Sequence, residues 1–245
     1  HRRQADAAVV KPLRVEPVLI ELQATRQGFL NGLVQTCRHQ TAHACLCHDL
    51  AMRAHQVAAA ILAGGQARRF GGRDKSRLLV DGRSIIVRQI EVLQRITPEV
   101  FIVASEVARF ADLALPVHPD ALPGSGAIGG LYTALEAASS DLVIVVACDL
   151  PYLDEGMLGR LVELASAGDG AWVRTPGGVE PLLACYRREA RATVRGEILA
   201  GRLKLQDLAS HLHMADLDAA ELARFGPAAR LLANINTPDD YARIQ

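Results

Sequence analysis

Residues 57–82 read VAAAILAGGQARRFGGRDKSRLLVDG, and this stretch decides how the rest of the chain is read. Its first six residues, Val57 to Leu62, are all apolar, with no alternation. That is the pattern of a strand buried on both faces. Paired glycines follow at once, then two arginines, a second glycine pair, an acid and a lysine. None of this loop is needed to build a core, so its composition calls for a ligand. Gly64 and Gly65 carry no Cβ, which lets the backbone approach a phosphate or a flat base. Successive N–H groups there can face anionic oxygens. Arg68, Arg69, Arg73 and Lys75 add positive charge, and Lys75 is a flexible point charge suited to a triphosphate. The plainer reading of the same residues is a glycine turn with a solvated basic face. Spacing excludes two familiar phosphate loops. No G-x-x-x-x-G-K-[ST] occurs, and the glycines come in pairs rather than as G-x-G-x-x-G.

Outward from this stretch, strands and helices alternate. SIIVRQIEVLQRI (84–96) has helical apolar spacing, with Ser84 as N-cap. EVFIVA (99–104) is a second strand, AIGGLYTALEAA (127–138) a helix, and DLVIVVACD (141–149) the central strand. A helix opens at Asp154. GAWVRT (170–175) and PLLACY (181–186) are strands flanking a PGG turn. Helices are expected over 187–199 and 203–210, a short strand over 231–235, and a last helix from Thr237, with Pro238 at its first position. This order predicts an α/β fold: a three-layer α/β/α, Rossmann-like domain with a mostly parallel sheet. Ligands in such sheets sit beyond the carboxyl ends of the strands, where the loop after Leu62 lies.

Two further constellations share that end. In VVACDLPYLD, Asp149 follows the central strand, where a carboxylate can ligate Mg²⁺ beside a nucleoside triphosphate. An aspartate in an Asp-x-Pro turn is the plainer alternative. Cys148 reads as a packed strand residue and not as a nucleophile. In HPDALPGSGAIGGL (118–131), Asp120 precedes a glycine-rich entry to a helix, whose free N–H groups favour anions.

LAGGQARRFGGRDK resembles the signature of nucleotidyltransferases with the glycosyltransferase-A-like fold. More narrowly, the chain is similar to the molybdenum cofactor guanylyltransferase (MobA) family. That family's pattern is L-A-G-G, a basic segment, R-M-G-G, one variable residue and D-K; Phe70 stands here in place of Met. CDLPY resembles the family's C-D-x-P-Y, GSGAIGGL its G-P-L-A-G loop, GVEPLLACYRR its Q/E-P-L strand with a basic pair, and NINTPDD its N-x-N-T-P-x-[DE]. The resemblance runs over residues 57–245. It implies that Leu62, Ala63, Gly64, Gly65, Lys75 and Asp120 hold GTP, and that Asn234 and Asn236 hold the pterin. It implies Lys75, Arg69 and Asp149 as catalytic residues, with Mg²⁺ on Asp149. The implied reaction is attack by the terminal phosphate of molybdopterin on the α-phosphate of GTP, forming a guanine dinucleotide and pyrophosphate. Molybdoenzymes or their chaperones are implied as further partners. One departure stands out: ungapped counting puts Val103 where the family has a nucleotide-contacting Asn, with Ser105 two residues on. Arg187, Arg188, Arg202 and Lys204 are candidates for the acceptor's phosphate. A cytidylyltransferase for molybdopterin or another small-molecule nucleotidyltransferase remains an alternative, as does a non-catalytic nucleotide or cofactor carrier.

Bulk composition is consistent with these readings. The chain has 245 residues, half of them apolar, with 27 basic and 27 acidic side chains. Zero net charge argues against a general nucleic-acid binder, and the few aromatics argue against a base-stacking platform. No apolar run approaches the roughly 20 residues that span a bilayer, and the opening residues show no secretory pattern. The five cysteines fit no disulfide framework, so a cytoplasmic setting is expected. Residues 1–55 read as an N-terminal extension, rich in Arg, Gln and His, and residues 56–245 as the nucleotidyltransferase domain. Cys37, Cys45 and Cys47 with neighbouring histidines lack the usual zinc-knuckle spacing.

Overall fold

The structure, a computed structural model, describes residues 57–64 and 74–244. The boundary expected at residue 55 and the cysteine–histidine segment lie outside those residues. Strand β1 is Val57–Leu62. A small hairpin follows, β2 (Leu79–Val80) and β3 (Arg83–Ser84), and leads into helix α1 (Ile85–Ile96). Then come β4 (Glu99–Val103), β5 (Val117–His118), α2 (Ala127–Ala137) and β6 (Leu142–Ala147). Helix α3 (Glu155–Leu164) precedes β7 (Gly170–Thr175) and β8 (Gly178–Arg187). The chain closes with α4 (Arg191–Leu199), β9 (Met214–Leu217), α5 (Ala219–Leu222), α6 (Ala228–Leu231) and α7 (Pro238–Ala242).

The main sheet has seven strands in the order β5-β4-β1-β6-β8-β7-β9. All its strands are parallel except β8, which runs antiparallel to both neighbours. The apolar run of β1 supplies both faces. Ala59 and Ile61 pack with Ile86, Ile90 and Leu93 of α1 and Leu158 and Leu161 of α3. Ala58, Ala60 and Leu62 pack with Ile128, Leu131 and Leu135 of α2 and Val194 of α4. Burial of both faces produces the three layers, and it explains why β1 and β6 show no alternation. From β1 the chain moves outward to β4 and β5, then returns to β6 on the other side of β1. The crevice at the carboxyl ends of β1 and β6 is therefore a topological switch point.

Several expectations need correction. The strand anticipated at 231–235 does not form. Residues 228–231 are helical, and Leu231 and Ile235 bury into two separate clusters, so the segment never lies along a sheet edge. Residue 187 still belongs to β8, because Arg187 pairs with Leu142, and the helix begins only at Arg191. Residues 205–210 form a 3₁₀ turn and not an α-helix. Ser84 sits at the N-cap of α1, but its side chain makes no capping bond; the residue is part of the hairpin pairing with Leu79. The Asp154 carboxylate does cap α3, accepting the Met157 N–H at 2.8 Å. Among the described residues, no helix is long and apolar enough to cross a membrane.

Candidate active site

Parallel pairing brings the loop after β1 and the loop after β6 together. Leu62 is paired with Ala147. Beyond the strands, the Cys148 N–H donates to the Leu62 carbonyl at 3.1 Å and the Ala63 N–H to the Val103 carbonyl at 2.8 Å. The next residues, Gly64 and Asp149, line one cavity of about 480 Å³, along with Lys75, Asp120 and the start of α2. That helix enters through Gly126, at φ +67° and ψ −147°, a conformation open essentially to glycine alone. At Gly129 a Cβ would lie 3.0 Å from the Leu122 carbonyl oxygen and 2.9 Å from the Ser125 Cβ, so only glycine lets the turn close on the helix. Ala127 and Gly130 face the cavity, which places the positively polarised end of α2 against it. The Asp120 Oδ1 accepts the Leu122 N–H at 3.0 Å, which ties this turn to the end of β5.

Asp149 is held from behind by Gln89. The Gln89 side-chain amide donates to the carbonyls of Ala147 and Leu150, both at 2.8 Å, and so pins the loop on either side of the carboxylate. The Oδ1 of Asp149 is buried and has no hydrogen-bond partner among the described residues. Burial pushes its carboxyl above the ordinary range, and the nearby Lys75 ammonium only partly offsets this. A buried, unpartnered carboxylate oxygen is costly unless something compensates it. A hard divalent cation would do so. The neighbouring Cys148 thiol is pushed up to about 12, first by burial and then by the charges of Asp149 and Asp74. It stays protonated near neutral pH, as expected of a residue that is not a nucleophile.

Lys75 begins a 3₁₀ turn capped by Asp74, whose Oδ1 accepts the Ser76 N–H at 3.0 Å and the Ser76 hydroxyl at 2.7 Å. The other Asp74 oxygen pairs with Arg109 at 2.8 Å. Burial would raise the Asp74 carboxyl, but the Arg109 and Ser76 contacts outweigh it and hold the group below its ordinary value. The Lys75 Nζ donates to the Oδ1 of Asn236 at 3.0 Å. The C-terminal segment is therefore docked on the site, and several contacts fix it there. The Ile235 N–H donates to the Asp149 carbonyl at 3.1 Å. Ile235 packs with Val80 and Ile85, flanked by Tyr152 and Tyr241. The Tyr241 hydroxyl donates to the Leu79 carbonyl at 2.8 Å. Arg88 and Arg230 lie over the Tyr152 ring at 5.7 and 4.6 Å.

Of the residues expected to act, Leu62, Ala63, Gly64, Lys75, Asp120 and Asp149 line this one cavity. Asn236 reaches it through Lys75. Asn234 is exposed and is not among the lining residues. Gly65 and Arg69, with Arg68 and Arg73, lie outside the described residues. Val103 lines the cavity beside Ser105, so this strand end offers a hydroxyl two residues after the apolar position. Three of the four basic residues considered for the acceptor are engaged elsewhere. Arg187 pairs with Leu142, at the end of β6 away from Asp149, and donates to the Ser166 carbonyl at 2.9 Å. Arg188 donates to the Ala138 carbonyl at 3.2 Å. Arg202 forms a two-point pair with Glu197 at 2.6 and 2.7 Å, and Lys204 is exposed and also absent from the lining. Gln89 and Arg109 escaped the sequence reading, and Asp74 entered it only as the acid of the D-K motif, with no role given. For Gln89 a signal existed, since it is a polar residue on the apolar face of α1, between Ile86 and Leu93. The Arg109–Asp74 pair spans two distant loops and left no mark.

The MobA-like NTP transferase domain matches residues 59–215. A protein of Chloroflexus aggregans named "probable molybdenum cofactor guanylyltransferase" is 36% identical over 191 residues, covering 76% of this chain and 91% of its own length. A protein of the same name from Opitutus terrae is 34% identical over 202 residues, covering 79% of this chain and 97% of its own. Among solved structures, molybdopterin-guanine dinucleotide biosynthesis protein A from Archaeoglobus fulgidus superposes with a TM-score of 0.66 at 25% identity, covering 76% of this chain and 96% of that one. With its glycine turn, lysine and carboxylate gathered at the switch point of this sheet, the chain belongs to the MobA-like NTP transferase family.

Proposed function

We propose that this enzyme transfers GMP from GTP to molybdopterin or its molybdenum-bearing form, releasing pyrophosphate and forming the guanine dinucleotide cofactor. The observation that carries this reading is the meeting of Lys75 and the buried Asp149 carboxylate, whose Oδ1 has no hydrogen-bond partner among the described residues, in one cavity at the ends of β1 and β6. An anionic phosphate oxygen of the acceptor attacks the α-phosphorus of GTP. The bond from that phosphorus to the bridging oxygen breaks, and its electron pair leaves with pyrophosphate. The attacking oxygen is already ionised, so no nucleophilic side chain or general base is needed. What remains for the protein is alignment and charge neutralisation. Gly64 and the start of α2 admit the nucleotide, Lys75 neutralises phosphate charge, and Arg69 is assigned the same task. Asp149 fits Mg²⁺, which when bound supplies Lewis-acid neutralisation of the phosphate oxygens. Asn234 and Asn236 remain the candidates for hydrogen bonds to the pterin.

A second reading has CTP as donor; it stays open because Val103, an apolar residue at the cavity end of β4, stands where the resemblance places a nucleotide-contacting Asn. Competition decides between the two. With equal GTP, CTP and UTP, Mg²⁺ and molybdopterin, mass analysis of the dinucleotide product is expected to show the guanine form in large excess. A cytosine product as the main species would overturn the choice of base.

A further inference from the structure

We propose that Arg109 is a further nucleotide-binding residue, meeting the phosphates of the nucleoside triphosphate from the β4 side of the cavity. The inference rests on the reading of this cavity as the triphosphate site, given above. Among the described residues, the cations that line the cavity are Lys75 and Arg109. Lys75 comes from the loop after β1, and Arg109 from the 3₁₀ segment Val107–Leu113 after β4. The parallel pairing of β1 and β4 brings both loops to the same end of the sheet. The Arg109 charge, like that of Lys75, opposes the rise of the Cys148 thiol, so its field reaches the residue beside Asp149. A planar donor fork at such a place suits phosphate oxygens.

The side chain is oriented without being used up, and 30% of it stays exposed. The Asp74 Oδ1 accepts both the N–H and the hydroxyl of Ser76, so Oδ2 is the oxygen left for Arg109, whose Nη2 lies 2.8 Å away. Arg77 and Arg202, by contrast, each take both oxygens of their acids, Asp112 and Glu197. A guanidinium carries five N–H donors, so a pair made through Nη2 leaves an edge for an incoming anion. The guanidinium carbon of Arg109 also lies 5.3 Å from the centre of the buried Phe110 ring, which supports its face. The backbone is tied down as well. The Arg109 carbonyl accepts from the Arg77 Nη2 at 2.9 Å, and Arg77 pairs with Asp112 at 2.6 Å. The turn that carries Lys75 and the segment that carries Arg109 are thus joined by ion pairs in both directions, Asp74 to Arg109 and Arg77 to Asp112.

The test is calorimetric binding of GTP and of guanosine, each with Mg²⁺ and no acceptor. The proteins are wild type, Arg109→Gln, Arg109→Lys, Asp74→Asn and the Asp74→Asn/Arg109→Gln pair. Glutamine keeps a polar side chain over Phe110 and removes the charge. Loss of a hydrogen-bonded charge predicts that Arg109→Gln weakens GTP about tenfold or more and leaves guanosine, which has no phosphate, unchanged. Arg109→Lys is expected to recover part of the GTP affinity. In the Asp74→Asn background, Arg109→Gln is expected to cost GTP a similar factor. The inference is overturned if Arg109→Gln binds GTP like wild type. An equal loss for GTP and guanosine would also overturn it, since the contact would then be to the base or ribose. So would disappearance of the effect in the Asp74→Asn background, because Arg109 would then act only by holding Asp74. Failure of the wild type to bind GTP at all would overturn the proposed function itself, and this inference with it.

Discussion

Asp149→Asn is expected to lower kcat/KM for GTP-dependent transfer by about 10³-fold while the protein stays folded. The amide keeps the shape of the side chain and removes the charge that a cation requires. The melting temperature separates loss of chemistry from loss of structure. Burial raises the Asp149 carboxyl above its unfolded value, so the protonated form is the one the fold favours. That contribution is present at acid pH and is lost as pH rises through the raised value. At neutral pH, in buffer with a chelator, the wild-type fold carries a buried carboxylate that the asparagine variant lacks. Asp149→Asn is therefore expected to melt no lower than wild type under those conditions, with the difference shrinking on acidification. Added Mg²⁺ is expected to raise the melting temperature of wild type and to leave the variant unmoved. A variant that is inactive but melts well below wild type would point to a structural role instead.

Lys75→Ala is expected to reduce kcat by about 10²-fold or more, because the charge it neutralises grows as pyrophosphate departs. Lys75→Arg should recover only part of this. The guanidinium is a planar fork and not a compact point charge, and it would have to fit between Asn236 and Asp149. Steady-state kinetics under saturating GTP checks both variants. If Lys75→Ala raised KM alone, the lysine would be contributing to binding and not to the chemical step.

The parts of the fold that could be read from the sequence are those whose burial writes an unbroken signal. β1 and β6 are buried on both faces, and their apolar runs need no partner to be recognised. β5 and the β2–β3 hairpin are two residues per strand, too short for any periodicity, and exist only because neighbours pair with them. The 231–235 segment misled for a related reason: Leu231 and Ile235 are both buried, but in different clusters. The site divides in the same way. Lys75 and Asp149 follow recognisable strands and glycines, so their chemistry and their location could both be argued. The supports behind them could not. The Arg109–Asp74 pair and the Gln89 bonds across to Ala147 and Leu150 depend on which loops the topology brings together. Arg187 and Arg188 show the converse case: a basic pair that looked available for an acceptor is spent on carbonyls at the far end of the sheet.

Pyrophosphate release from GTP with Mg²⁺, measured with and without molybdopterin, tests the central claim most directly. The expected result is turnover that requires the acceptor and produces one guanine dinucleotide per pyrophosphate. Tight GTP binding with no pyrophosphate released, even with molybdopterin present, would contradict it and leave the protein a carrier rather than a transferase.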